Sequence, residues 1–188
     1  MLVELMGRNA GWLTLHAGLA SGADVIVVPE IPYDLDAICD ECLRRGHLGK
    51  RFTLIAVSEG AAPRGGHQTV EKIVHDSPDP VRLGGVSAVL AAQIAERTRL
   101  ETRATILGHI QRGGTPVAYD RVLATAFGFK AMQLIAEGQW NQMAVLQNGR
   151  IGAVPIESVA GRQRTVEPGD PLIAMARAVG TCLGDHTP

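Results

Sequence analysis

Residues 105–116 combine an apolar run with a polar turn, and this combination is typical of an anion-binding site. The apolar run ends at His109, and Arg112 follows in a glycine-containing turn. Thr115 and Pro116 then predict the start of a helix, because Thr is favoured at the N-cap and Pro at the first helical position. Helix N-termini attract anions, so an imidazole and a guanidinium there suit a phosphorylated small molecule. A strand–turn–helix joint with a solvated arginine is an equally good interpretation of this segment alone.

Helical and strand-like patterns alternate along the chain. Short apolar runs predict buried strands at Val25–Val28 and Phe52–Val57, and a third strand is expected over Thr102–Ile110. Residues 60–83 are rich in Gly, Pro, His and Asp and predict a long surface loop. Helices are predicted over Gly11–Ala20, Leu35–Arg45, Gly85–Arg99, Val117–Glu137 and Pro171–Val179. The alternation predicts an α/β fold with a mostly parallel sheet flanked by helices.

The pattern becomes less regular after residue 140. Met143–Leu146 and Ile151–Ile156 predict two more strands, joined by an Asn148-Gly149 turn of the kind that closes hairpins. We therefore expect an α/β domain over residues 1–140 and a C-terminal extension over residues 141–188.

Several polar residues are predicted to meet at one edge of the sheet. Ligands of parallel α/β sheets bind at the carboxyl ends of the strands, where Glu59 and Arg112 follow two predicted strands. Gly7 and Arg8 precede the first helix, and Gly7 would allow backbone N–H groups to approach a ligand. Arginines bind phosphate and a carboxylate accepts hydrogen bonds from hydroxyls, so the set suits a phosphosugar. The alternatives are a cap or loop role for Glu59 and a surface charge for Arg8.

Composition excludes several classes of protein. The chain has 188 residues, of which 46% are hydrophobic and 20% charged, so a sizeable core is expected rather than disorder. A formal net charge of −1 argues against a general nucleic-acid or membrane surface. No apolar run approaches the roughly 18 residues that span a bilayer. The N-terminus lacks the pattern of a signal peptide, so a cytoplasmic protein is expected.

Cys39 and Cys42 have a spacing that is also found in redox and metal sites. They lie within the predicted helix Leu35–Arg45, where cysteines three residues apart share one face. No second pair of Cys or His completes a zinc site, so the packing interpretation is favoured. Cys182 carries no signal of its own.

Five segments of the chain resemble 6-phosphofructokinases of the bacterial type. They are Met6–Gly18 (MGRNAGWLTLHAG), Ala23–Glu30 (ADVIVVPE), Ser58–Gly60, Leu107–Pro116 (LGHIQRGGTP) and Tyr119–Ala124. They occur in the family's order, and the resemblance covers essentially the whole chain. It is a resemblance to the C-terminal half of the enzyme, beginning just before the family's Met-Gly-Arg motif, and it implies a sugar-phosphate domain of phosphofructokinase type.

The resemblance implies roles for residues of the two glycine-containing segments. Met6, Gly7 and Arg8 correspond to the family's fructose 6-phosphate loop. Arg8 also corresponds to an arginine that stabilises charge on the phosphoryl group during transfer. His109 and Arg112 correspond to residues that hold the 6-phosphate of the sugar.

Two further residues acquire roles from the same resemblance. Glu59 corresponds to a carboxylate that binds sugar hydroxyls. Arg103 corresponds to an arginine that reaches the 6-phosphate bound in a neighbouring subunit, which implies a homo-oligomer, either a tetramer or a dimer.

The family's phosphate-donor loop and its catalytic Asp segment precede this region and have no counterpart in the chain. The intact enzyme uses Mg²⁺ with ATP or pyrophosphate to phosphorylate the 1-hydroxyl of fructose 6-phosphate in glycolysis. We therefore expect a chain that binds the acceptor, holds no metal itself and is inactive alone. Residues 141–188 would pack back on the missing N-terminal domain. A non-catalytic sugar-phosphate-binding or regulatory subunit, and a remnant that binds nothing, are the alternatives.

The resemblance leaves the donor and the regulation open. The insert Ala61–Leu83 is similar to that of a bacterial subgroup containing both ATP and pyrophosphate enzymes. An allosteric effector of bacterial members binds at positions that correspond here to Gly22, Asp24, Lys50 and Arg51. Leu48 and Phe52 replace two basic residues of that site, so weaker phosphate binding is expected there.

Overall fold

The computed structural model describes residues 1–73, 75–76 and 80–186. The strands are β1 Leu2–Leu5, β2 Val25–Val27, β3 Ile55–Ser58, β4 Val70–Ile73, β5 Val81–Leu83, β6 Ala104–Ile106, β7 Gln142–Gln147 and β8 Arg150–Pro155. The helices are α1 Trp12–Ser21, α2 Leu35–His47, α3 Val86–Thr98, α4 Ala118–Ala136 and α5 Pro171–Ala178. Four strands form a parallel sheet in the order β2-β3-β1-β6, which confirms the predicted α/β class.

The central strand β1 is not predicted by the apolar pattern, because Glu4 interrupts it. Glu4 is only 2% exposed. Its carboxylate accepts hydrogen bonds from the Gly85 N–H (2.9 Å), the Ser87 N–H (2.9 Å) and the Ser87 hydroxyl (2.7 Å). A buried carboxylate is tolerated when its oxygens are hydrogen-bonded, and here it also binds free N–H groups at the start of α3.

Helices cover both faces of the sheet and create two hydrophobic clusters. One cluster joins the sheet to α2 and α3, and the other joins it to α1 and α5. α1 approaches β2 closely at Gly18, where a Cβ atom would lie 2.6 Å from the Ile26 side chain. Glycine at this position therefore sets the distance between helix and sheet.

The prediction of a continuous surface loop over residues 60–83 is wrong in its second part. β4 and β5 form an antiparallel pair, with an irregularity in register between Val70 and Lys72. Each strand is short and β4 is exposed along its length. Neither strand therefore has the apolar run from which a buried strand is predicted. Positions 74 and 77–79, between the two strands, lie outside the described residues.

α2 buries both of its cysteines. Cys39 and Cys42 belong to the cluster between the sheet and α3, and both are free thiols. Burial is the main cause that raises the pKa of each thiol. The packing interpretation of the Cys-x-x-Cys spacing is confirmed.

The chain divides into two compact units that differ from the predicted domains. One contains residues 1–112 and 164–188, and the other residues 113–163. The second unit contains α4 and the β7–β8 hairpin, whose Asn148-Gly149 turn has φ values of +50° and +76° as the hairpin prediction required. A boundary at residue 140 separates α4 from strands that belong to the same unit.

α4 begins later than predicted. Its N-cap is Val117, and the carboxylate of Asp120 accepts the Val117 N–H at 3.3 Å. Thr115 and Pro116 precede the helix, so neither occupies the cap or first-turn position assigned to it. In the part of the chain that the structure describes, no helix is both long enough and apolar enough to cross a membrane.

Candidate functional site

The loop after β1 is held by side chains from two other segments. Glu59, directly after β3, accepts the N–H groups of Gly7 (3.0 Å) and Arg8 (2.9 Å) on its Oε1 atom. The Oε1 atom of Gln111 accepts the Met6 N–H at 2.9 Å. Side-chain oxygens of the protein itself therefore bind the N–H groups of this loop, while the approach of a ligand to Gly7 stays a prediction.

Close backbone contacts constrain the same loop. Arg8 has a left-handed backbone conformation with φ of +51°. A Cβ atom on Gly60 would lie 1.7 Å from the Arg8 carbonyl oxygen, so only glycine allows the two segments to approach this closely. The Arg8 side chain, which is exposed, thus projects from a backbone whose conformation is set by Glu59 and Gly60.

His109 and Arg112 lie on a 3₁₀ turn, Gly108–Arg112, that follows β6. The predicted strand was too long, because β6 ends at Ile106 and His109 belongs to the turn. Both side chains are exposed. The turn lies at the carboxyl edge of the sheet, as the loop after β1 does, since β1 and β6 are parallel neighbours.

Arg103 lies at the opposite, amino edge of the sheet. Its carbonyl oxygen accepts the Leu2 N–H at 2.8 Å, at the start of β1. The four residue-to-residue steps from Arg103 to Leu107 span about 13 Å along a strand. Arg103 pairs with Glu101 at 2.7 Å, and this neighbouring carboxylate raises the pKa of its guanidinium. The structure therefore separates Arg103 from the other predicted sugar-phosphate residues of the same chain.

The residues assigned to an effector site have different surroundings. Lys50 and Arg51 line a cavity of about 430 Å³ at the amino edge of the sheet, together with Phe52 and Arg103. Asp24 is instead engaged by the Leu54 N–H at 2.7 Å and the Arg45 guanidinium at 2.9 Å. Gly22 is the left-handed C-cap of α1.

Three residues that the sequence analysis did not single out stabilise the loop and the start of α1. Gln111 is the first, through its bond to Met6. Gln68 donates from Nε2 to Asn9 Oδ1 (3.0 Å) and to the Gly60 carbonyl (2.8 Å). Glu30 accepts the N–H groups of Gly11 (3.0 Å) and Val166 (2.8 Å). Gln111 and Glu30 fall within family motifs, whereas no pattern in the sequence indicates Gln68.

Comparison with known proteins identifies the family to which the chain is similar. Residues 1–135 match the family described as Phosphofructokinase. The ATP-dependent 6-phosphofructokinase 2 of Clostridium perfringens is 45% identical over 186 residues, which cover 98% of this chain and 51% of that protein. The pyrophosphate–fructose 6-phosphate 1-phosphotransferase of Amycolatopsis methanolica is 47% identical over 169 residues, 89% of this chain and 49% of that protein.

Solved structures agree with the family match. Phosphofructokinase from Pichia pastoris in the T-state superposes with a TM-score of 0.66 at 35% identity, covering 84% of this chain and 17% of that chain. A pyrophosphate-dependent enzyme from Nitrosospira multiformis has a TM-score of 0.74 at 21% identity, over 100% of this chain and 49% of that chain, and supports the fold. The chain belongs to the phosphofructokinase family. It spans about half the length of the curated relatives it matches.

Proposed function

We propose that the chain is the fructose 6-phosphate-binding, C-terminal half of a bacterial 6-phosphofructokinase. The observation that carries this proposal is the arrangement of the Met6–Arg8 loop, Glu59 and the turn with His109 and Arg112 at one carboxyl edge of a parallel sheet. Family membership supplies the reaction class. The relatives named above are enzymes, which favours this proposal over a non-catalytic binding or regulatory subunit.

The proposed roles follow from the charge of each group and its position. The imidazole of His109 and the guanidinium of Arg112 are exposed on one turn and would hold the 6-phosphate. Glu59 uses Oε1 for the loop, so Oε2 is the atom proposed to accept a sugar hydroxyl. Arg8 would stabilise negative charge on the transferred phosphoryl group.

Arg103 would act in another subunit of a homo-oligomer. Its position at the amino edge of the sheet supports this proposal, since the sugar-phosphate turn of its own chain lies at the other edge. Tetramers and dimers both provide such a neighbour.

The donor site and the catalytic base are assigned to the missing N-terminal half. Relatives are named for ATP and for pyrophosphate, so either donor, with Mg²⁺, is compatible with this chain. We expect the purified chain to show no phosphotransfer by itself, because the proposed catalytic base lies in the other half. Turnover by a chain of confirmed mass would contradict this expectation.

The surface of α4 is the proposed contact with the missing half. Val122, Phe129 and Met132 are each more than 60% exposed. Within α4, all of whose residues are described, only Leu134 is buried. Large exposed apolar patches mark interfaces. This assigns the contact to residues 113–163 in addition to the extension 141–188 predicted from sequence.

Calorimetric titration with fructose 6-phosphate tests the proposed function. We expect saturable binding, and Arg112→Ala should weaken it at least tenfold, because a hydrogen bond to a charged group contributes about 1.5–3 kcal/mol. Arg44→Ala is the matched control, since Arg44 is an exposed arginine of α2 that pairs with Glu41. Absence of binding by the folded wild-type chain would contradict the proposal.

A further inference from the structure

We propose that Gln111 is a positioning residue that couples the two loops of the acceptor site; this inference rests on the proposed function. The side chain of Gln111 belongs to the turn that carries His109 and Arg112, and its Oε1 atom binds the Met6 N–H at 2.9 Å. The bond joins segments that are 105 residues apart in the chain. It is therefore a direct link between the two loops proposed to hold the sugar phosphate.

The need for this side chain follows from how the β1–β6 ladder ends. Leu107 donates its N–H to the Glu4 carbonyl at 3.1 Å, as the parallel register requires. Continuing the ladder would pair the Met6 N–H with the Leu107 carbonyl. That carbonyl instead accepts the Ile110 N–H at 3.3 Å, because the chain has turned into the 3₁₀ conformation.

Gln111 supplies the missing acceptor at this point. Its side-chain oxygen binds the N–H group that the turning backbone no longer pairs, and so satisfies a partly buried donor. The neighbouring N–H groups of Gly7 and Arg8 bind Glu59, which holds the loop to β3 instead. Gln111 thus sets the position of the loop relative to the turn, and Glu59 sets its position relative to β3.

The coupling has a consequence for ligand binding. Gln111 is adjacent to Arg112, and Met6 is two residues before Arg8. A change in the Gln111–Met6 distance therefore moves the cations of the turn relative to Arg8. A sugar phosphate that binds between the loop and the turn must then restore their relative position. The free energy that this reordering costs weakens the affinity.

Two substitutions separate the hydrogen bond from the volume of the side chain. Gln111→Met has similar length and no oxygen, whereas Gln111→Glu keeps an acceptor. Amide hydrogen exchange of Met6 should be at least tenfold faster in Gln111→Met and close to wild type in Gln111→Glu. Exchange at Gly7 and Arg8 should stay unchanged in both variants, because Glu59 remains. Gln93→Met, on the exposed surface of α3, is the matched control.

Titration with fructose 6-phosphate then tests the role in binding. We expect Gln111→Met to weaken binding about tenfold without changing the thermal midpoint by more than the Gln93→Met control does. Unchanged exchange at Met6 in Gln111→Met, or faster exchange with unchanged affinity, would overturn the inference. Failure of the wild-type chain to bind would instead overturn the proposed function, and the binding role of Gln111 with it.

Discussion

Glu59 and Gln111 bind backbone N–H groups of the loop that follows β1, and this use of their side chains changes how the site is understood. Glu59 is assigned to sugar hydroxyls by family resemblance, yet its Oε1 atom already accepts two N–H groups. The carboxylate therefore has a structural task that precedes any ligand. Arg8 depends on it, because its left-handed backbone must be held by neighbouring groups.

Gly60→Ala should damage the site through contact with the backbone alone. The new Cβ atom would lie 1.7 Å from the Arg8 carbonyl oxygen, so one of the two segments must move. We expect the free energy of unfolding, measured with urea, to fall by about 2 kcal/mol or more. Gly46→Ala is the control, because nothing lies within 4 Å of a Cβ there and alanine favours the interior of α2. Equal stability of the two variants would contradict the close approach.

Glu4→Gln should destabilise the fold although it changes no volume. The carboxylate accepts three hydrogen bonds on two oxygens, and an amide presents a donor in place of one oxygen. We expect a loss of about 2 kcal/mol in the free energy of unfolding, because a buried donor then faces another donor. Glu96→Gln, exposed on α3, should change stability by less than about 0.5 kcal/mol in the same urea titration.

Among the helices, α2 contains the Cys-x-x-Cys spacing that is also found in redox and metal sites, and here this pair packs into the core. Its two cysteines are buried in the hydrophobic cluster that joins the sheet to α2 and α3. The helix ends with Arg44, Arg45 and His47 in its last turn, where positive charge is favourable. Asp34 caps its start by accepting the Asp36 N–H at 2.9 Å.

Native Cys39 and Cys42 should react slowly with a thiol reagent at pH 8. Burial raises the pKa of both thiols, so the reactive thiolate is a smaller fraction at this pH than for a free cysteine. We expect a colorimetric disulfide reagent to modify them only after addition of denaturant. Rapid modification of both in the folded chain, identified by mass spectrometry, would show that α2 opens readily.

At the scale of the whole molecule, the exposed apolar surface of α4 predicts that the chain by itself associates. Replacing Val122 and Phe129 together by Glu should shift sedimentation toward the monomer, since both side chains are largely exposed. Fructose 6-phosphate affinity should be retained, because the proposed site residues are unchanged. Gln133→Glu, on the same helix, is the control for added negative charge. Association unchanged in the double variant would show that α4 does not form the contact.

Much of the fold could be predicted from the sequence, because apolar runs, helical periodicity and turn residues act on neighbouring residues of the chain. Apolar runs predicted β2 and β3, periodicity predicted α1, α2, α3 and α5, and the Asn148-Gly149 pair predicted a hairpin whose left-handed turn the structure contains. The exceptions have physical reasons. β1 contains Glu4, whose hydrogen-bond partners lie more than 80 residues away, so the apolar pattern does not indicate a strand there. β4 and β5 are largely exposed and lack the apolar run from which a buried strand is predicted.

The order of residues along the chain shows which residues of the candidate site follow which strands, and a parallel sheet brings the carboxyl ends of its strands to one edge. The sequence therefore predicted that Glu59 and Arg112 share an edge with the loop at Gly7. The folded structure was needed to show that Glu59 and Gln111 bind this loop, that Gly60 lies against the Arg8 backbone, and that Arg103 lies at the other edge. Those contacts depend on distances between segments far apart in the chain, and residue types alone do not contain these distances.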